Sequence, residues 1–356
     1  MRDYRHLRRM TDATGIIQFS KWDEPDVNSG YTVDDNARAL LVALNIHGEE
    51  GEKYTRIYTN FLHSAQRPDG TWCNLMVNGT FTPEIDSEDS WGRAFLACIA
   101  AASSHFEDIR RLALEMAVKA LPVVMNLKFP RPIAYTLIGL QKGKDIPELQ
   151  EHHKAMRETA ARYSEDLISL YNHNKSPGWY WFEDRITFCN GIMPQALFAY
   201  YSLTSDKKAL MVAKESLSFL NDNLFAKGYL NIVGNRGWWL KGNFMPLYDQ
   251  QPVDACSTAL ACLEAYAATG QKEYVDYARQ AYSWYFGENI NNTPLYNHKT
   301  GGCHDGLIPT GVNPNQGAEA LISMLLTELA LEKLGFLPET KDGSVEGKEH
   351  AFTAVS

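Results

Sequence analysis

One arrangement recurs along this 356-residue chain. A polar segment rich in carboxylates and amides runs straight into a helix of small and branched apolar residues. The clearest case is Asp34-Asp35-Asn36-Ala37-Arg38, followed by Ala39 to Leu44. Ser87 to Arg93 leads into Ala94-Phe95-Leu96-Ala97 in the same way. Pro130-Arg131-Pro132 before Ile133 to Leu140 is a weaker instance. Phe182 to Asn190, Asp249 to Asp254 and Asn313 to Glu319 complete a series of six. The helix starts fall near 34, 89, 132, 190, 254 and 319, so each interval has room for two helices and their loops. A period of this length is the mark of a repeated supersecondary unit.

Between these starts lie segments whose apolar residues recur at helical spacing on one face only. Leu112, Met116, Val123 and Leu127 are one such set. These amphipathic stretches run near Lys53–Gln66, Glu107–Asn126, Glu148–Tyr171, Asp206–Leu224 and Gln271–Phe286, with a sixth at Arg2–Thr11. A helix apolar nearly all round must be buried, and a helix with one polar face lies outside. Alternating the two kinds predicts two concentric rings, an all-α (α/α)6 toroid of six helical hairpins. It is expected to be one domain over residues 1–336, with a disordered tail at 337–356. Short β-hairpins are expected at Thr71–Phe81, turning at Asn78-Gly79, and at Tyr229–Leu240. Both would decorate the face where the inner helices begin.

Lys and Arg number 34 against 43 Asp and Glu, a net charge of −9. That excludes the basic footprint of a nucleic-acid binder and disfavours an anionic membrane surface. No run of 18 apolar residues predicts a membrane span. The first ten residues are basic and lack the apolar core of a signal peptide. The sequence as it stands reads as cytoplasmic, or as periplasmic if a signal peptide has been removed. Cys73, Cys98, Cys189, Cys256, Cys262 and Cys303 form no C-x-x-C pair and are expected to be reduced. No metal-ligand spacing or nucleotide loop appears, so no metal or cofactor is implied.

The polar helix starts would gather at one pole, beside large aromatics. Asp in the first helical turn is ordinarily a cap or a dipole partner, but most of these starts bring more polar groups than caps require. Sugars present apolar ring faces edged by hydroxyls, which aromatic platforms and carboxylate or amide pairs match. Glycoside cleavage needs two carboxyl groups in different protonation states. Asp35, Asp89, Asp254, Glu183 and Asp184 are the candidates for that acid–base work. Tyr31, Asp34, Trp91, Arg93, Trp181, Asn190, Gln251, His304, Asp305, Asn315 and Gln316 are the candidates for holding sugar. Glu319, one turn inside its helix, is read as holding Asn315 or a loop N–H. Arg38 and Arg93 each stand four residues after an Asp, where an i,i+4 ion pair is the ordinary outcome. An epimerase or lyase would have to recruit His304, with Tyr31 or Tyr248.

Three stretches carry a resemblance: Gly30 to Leu40, Ser87 to Ala94, and Asp305 to Asn313 continuing through Asn315 to Glu319. They resemble a bacterial family of (α/α)6-toroid, six-hairpin glycosidase-like domains. That family often carries a loose glycosyltransferase label and occurs with mannoside-processing enzymes. The resemblance spans nearly the whole chain and implies a toroid that handles carbohydrate. Where the family usually shows Asn-Ala-Arg, this chain has Asn190-Gly191-Ile192. No doubly wound βαβ pattern supports a nucleotide-sugar site. The leading expectation is a glycoside hydrolase acting on oligosaccharides, mannosides among them. The alternatives are a sugar epimerase, isomerase or polysaccharide lyase on the same fold, and a non-catalytic glycan-binding domain. An oligosaccharide is the expected partner, with self-association or association with other sugar-processing enzymes as further expectations.

Overall fold

The structure of the protein is a computed structural model that describes residues 2–337. The disorder expected for the tail falls almost wholly on 338–356, outside the described residues. Among the described residues there are twelve α-helices. They are α1 (Arg5–Met10), α2 (Val33–Ala43), α3 (Glu49–Ala65), α4 (Glu88–Ala101), α5 (Glu107–Val124) and α6 (Pro130–Lys142), then α7 (His153–Asn174), α8 (Ile192–Thr204), α9 (Lys207–Leu224), α10 (Pro252–Thr269), α11 (Glu273–Ser283) and α12 (Ala318–Lys333).

The even-numbered helices are the inner ring. Each packs on the next, and α12 packs back on α2. The odd-numbered helices lie outside: α3 on α2, α5 on α4, α7 on α6, α9 on α8, α11 on α10 and α1 on α12. The chain thus closes its sixth hairpin by joining its first helix to its last. The chain has the expected (α/α)6 toroid, and all six inner helices begin within three residues of the expected positions.

Small residues permit the inner helices to approach. At Gly92 a Cβ would stand 2.9 Å from the Pro132 carbonyl oxygen of α6. At Gly191, just before α8, it would stand 2.1 Å from the Ser257 carbonyl oxygen of α10. Side chains on the inner ring are accordingly Ala, Ser, Cys and Leu, and all six cysteines are free and buried. A free buried thiol packs as a small hydrophobe.

The loops at the helix-start pole carry short strands: β1 (Ser20–Lys21), β2 (Glu24–Pro25), β3 (Tyr31–Thr32), β4 (Leu75–Val77), β5 (Thr80–Thr82), β6 (Arg185–Ile186) and β7 (Trp239–Leu240). The hairpin at Asn78-Gly79 forms as β4–β5, with both turn residues at positive φ, and β3 adds to its edge. The hairpin expected at Tyr229–Leu240 does not form. Gly234 donates its N–H to Pro246 and Asn235 to Asp249, so the turn pairs forward in sequence rather than back. Leu230, Ile232 and Val233 are all buried, without the alternation of a half-exposed strand. Trp239–Leu240 pairs instead with Arg185–Ile186.

The close approach at Gly191 is testable. Gly191→Ala forces overpacking against α10 and is expected to destabilise by about 1–3 kcal/mol, read from the urea midpoint. An unchanged midpoint would show that α8 and α10 stand further apart than described.

Candidate active site

The inner helices present their first turns at the pole, and the caps decide which side chains are left for other work. On α2 the cap is Thr32, whose hydroxyl accepts the Asp35 N–H. On α4 it is Ser87, which accepts the Ser90 N–H. Asp34, Asp35 and Asp89 are therefore not caps, although the dipole favours acids in the first turn. The start of α12 is capped from another segment: Asp305 Oδ1 accepts the Gly317 N–H at 2.6 Å.

A cavity of about 340 Å³ opens among these turns. Asp34, Asp35, Asp305 and Glu319 line it together with Arg38, Asn74 and Gln251, and Phe19 and Ile85 border it. A wider groove of about 630 Å³ holds Asp12, Glu49 and Glu52 with Lys53 and Arg56, away from the first turns of the inner helices.

Arg38 donates through one nitrogen to Asp35 Oδ1 at 2.9 Å and to Glu319 Oε2 at 3.0 Å. Those two oxygens are therefore no more than about 6 Å apart, held by one guanidinium nitrogen. Asp35 Oδ2 accepts from the Thr32 hydroxyl at 2.7 Å. Asp34 accepts from Arg93 at 2.8 Å and from the Asn74 amide at 3.2 Å. Both of these aspartates thus have both oxygens engaged. Asp305 and Glu319 each keep one oxygen without a partner among the described residues.

The protonation states diverge. Burial pushes Asp35 up to about 6; Arg38 opposes the shift and the Glu319 charge adds to it. Burial also pushes Asp305 up to about 6, against the Gly317 N–H bond and with the Glu319 charge. Asp34 is buried too, but Arg93 and Arg38 outweigh that and hold it below the usual carboxylate range. Pairs pushed apart in this way mark acid–base sites.

A second charged cluster lies next to the first. Arg93 stands 3.9 Å from Asp89, whose carboxyl burial raises while Arg93 pulls it down. Arg131 stands 2.9 Å from Glu183 and donates to Asn190 at 3.4 Å. Asn190 in turn donates to Asp254 at 3.3 Å. Burial pushes Asp254 up to about 7, with Arg131 opposing.

Other expected site residues lie elsewhere. Trp181 is fully buried against Phe182, so it has no face to offer a sugar, and its assignment as a platform is corrected. Trp91 is half-buried and donates its indole N–H to the Trp72 carbonyl at 2.9 Å. Asp184 is exposed and pairs with its neighbour Arg185, so it does not join the central carboxylates. The buried Tyr31 turns its hydroxyl to Asp12 at 2.5 Å. His304 rests one ring nitrogen on the Pro314 carbonyl at 3.2 Å, and burial holds its pKa below the ordinary value. Gln316 is buried and accepts from Thr300, while Asn315 accepts the Trp22 N–H. None of these last residues lines the cavity. Sequence reasoning passed over Asn74 and Gln18, and read Glu319 as a loop partner. Asn74 sits in the expected hairpin, where nothing in a single sequence separates it from a turn residue.

Asp254 yields a test of this electrostatic arrangement. Its folded pKa of about 7 exceeds the ordinary 3.8, so the fold favours the neutral form. Its stabilising contribution is full below about pH 4 and is lost as pH rises through about 7. Asp254→Asn is therefore expected to raise Tm relative to wild type more at pH 8 than at pH 5. Equal differences at the two pH values would show that Asp254 titrates normally.

No family model and no curated protein matches the sequence. Solved structures do match in shape. A sugar epimerase from a ruminal bacterium superposes with a TM-score of 0.69 at 10% identity, covering 92% of this chain and 94% of that one. A D-mannose isomerase gives 0.66 at 13% identity, over 93% and 95%. A GH76 alpha-mannanase from Bacteroides thetaiotaomicron gives 0.62 at 14% identity, over 93% of each chain. At these identities the likeness is one of fold, and the chain has the (α/α)6-toroid fold.

Proposed function

We propose that this protein is a carbohydrate-active enzyme, specifically a glycoside hydrolase acting on neutral oligosaccharides. One observation carries the reading. Asp305 and Glu319 share a cavity and each keeps an oxygen free; the first holds its proton up to about pH 6, and the second is ion-paired to Arg38. Asp305 gives its proton to the glycosidic oxygen as the bond to the anomeric carbon breaks. Glu319 takes a proton from the water that bonds to that carbon. The products are an alcohol on the leaving sugar and a hemiacetal at the anomeric carbon, which is the new reducing end, and solvent restores both carboxyl groups. Asp35 and Asp34 position Arg38 and Arg93, since their own oxygens are committed.

The shape neighbours include epimerases and an isomerase as well as the mannanase, so an epimerase is the second reading. It would have to do its proton transfer with the carboxylates, because the rings of His6 and His304 rest on backbone carbonyls outside the cavity. Mannooligosaccharides are natural first substrates given those neighbours, and cello-oligosaccharides join them because a cellobiose 2-epimerase from Bacillus thermoamylovorans has the same fold, with a TM-score of 0.68 at 8% identity.

Release of new reducing ends distinguishes the two. Asp305→Asn and Glu319→Gln are each expected to lower kcat about 10²-fold or more, measured at a temperature where each variant is still folded. In wild type kcat/KM is expected to fall as pH rises through about 6, the basic limb being set by loss of the Asp305 proton. Conversion of the reducing sugar to its epimer with no gain in reducing ends would replace the hydrolase reading with the epimerase one.

A further inference from the structure

The tryptophans raise a question that the cavity does not answer. Of the eight, seven are buried or half-buried, and several donate their indole N–H to a backbone carbonyl. Trp22 differs: it is 68% exposed, at the tip of the β1–β2 hairpin. Its backbone φ is +62°, a conformation that bulky side chains rarely adopt.

That conformation is held from outside the hairpin. The Trp22 N–H donates to Asn315 Oδ1 at 2.9 Å. Its carbonyl accepts from the Gln316 N–H at 2.9 Å and from the Ser20 hydroxyl at 2.8 Å. The Ala318 N–H, at the start of α12, donates to the Gln18 carbonyl at 3.0 Å. The hairpin is thus fastened to the segment that presents Glu319. Its own Gln18 and Phe19 line the cavity, and Phe19 is 54% exposed. The exposed Phe19 ring thus borders the polar cavity, and the exposed Trp22 stands three residues further along the same clamped segment.

We propose that Phe19 and Trp22 form an outer sugar subsite, which stacks on the apolar faces of pyranose units beyond the one held in the cavity. The proposal deepens the carbohydrate reading above and rests on it. The substrate class is a neutral glycan of more than two units. Pyranose C–H faces match an exposed ring, and the indole stacks without needing a charged partner. Trp22 contributes little packing, so removing it leaves the fold in place. Its clamp uses only backbone atoms of residue 22, so substitution keeps it.

The test is binding, measured in the Asp305→Asn background so that turnover does not interfere. Mannobiose, mannotetraose, cellobiose and cellotetraose are titrated by calorimetry, and acrylamide quenching of tryptophan fluorescence is followed in parallel. At least one tetraose is expected to shield tryptophan from acrylamide. Trp22→Ala should abolish that protection and weaken that tetraose about tenfold, with a smaller loss for the matching biose. Trp22→Phe should recover most of the affinity, and Tm should not move in either variant. The proposal is overturned if no tetraose shields tryptophan, if biose and tetraose weaken equally, or if Trp22→Phe fails to rescue. Failure of the hydrolase reading looks different: Trp22-dependent binding persists while wild type releases no new reducing ends.

Discussion

The closure of the ring depends on one guanidinium. Arg38 on α2 holds Asp35 of its own helix and Glu319 of α12, the first and last inner helices. Its Nε also donates to the Asp34 carbonyl at 3.2 Å. Taking such charges out of water costs several kcal/mol per ion, and only good geometry with further hydrogen bonds offsets it. Here the Asp35 half is buried and the Glu319 half reaches solvent, where screening weakens the pair. Arg93 repeats the device between α4 and Asp34 of α2. Arg131 carries it from α6 through Asn190 to Asp254 of α10. Asp34, Asp35, Arg38 and Glu319 thus both line the cavity and link inner helices, so a substitution at one of them acts on ring closure and chemistry at once.

Much of this was legible in the sequence because helical period and helix starts are local signals. The alternation of all-round apolar and one-sided helices dictates inner and outer rings. What a single sequence could not divide was capping from function. Asp34, Asp35 and Asp89 all stand where an N-cap or a dipole partner would stand. Thr32 and Ser87 immediately upstream take the cap, and only coordinates show that. The partners of Arg38 and Arg93 were only partly legible. Local i,i+3 and i,i+4 pairs exist, yet the shorter Arg93 bond goes to Asp34, 59 residues away.

The aromatics were the least legible part. Trp91 and Trp181 flank polar segments in the chain, which suggested platforms. Trp181 instead is fully buried, and Trp91 is half-buried and donates its N–H to the Trp72 carbonyl, as the buried Trp179 does to the Glu183 carbonyl. The reason is physical: irregular loops over a toroid pole leave backbone carbonyls that need donors, and an indole supplies one while filling volume. Trp239 and Phe219 stack at 5.8 Å for a similar purpose, fixing the loop that carries β7 to α9. Burial of a tryptophan is a tertiary property, and neighbouring carboxylates in sequence do not determine it.

The spread of protonation at the pole follows from how arginines are shared. Asp34, Asp35 and Asp254 all occupy first turns of inner helices, where the helix dipole lowers a carboxyl pKa. Only Asp34 is lowered, and it alone faces two guanidiniums. Asp35 shares Arg38 with Glu319 and rises. Asp254 reaches Arg131 only through Asn190 and rises further. The start of α8 explains that last case. The chain reads Asn190-Gly191-Ile192, and Gly191 lets the backbone meet Ser257 of α10 where a side chain would collide. Ile192, which follows it, is buried as well. Close packing of α8 on α10 thus keeps water from this end of α10. The neutral form of Asp254 follows from the packing of two inner helices, and a dipole argument on its own helix would have given the wrong sign.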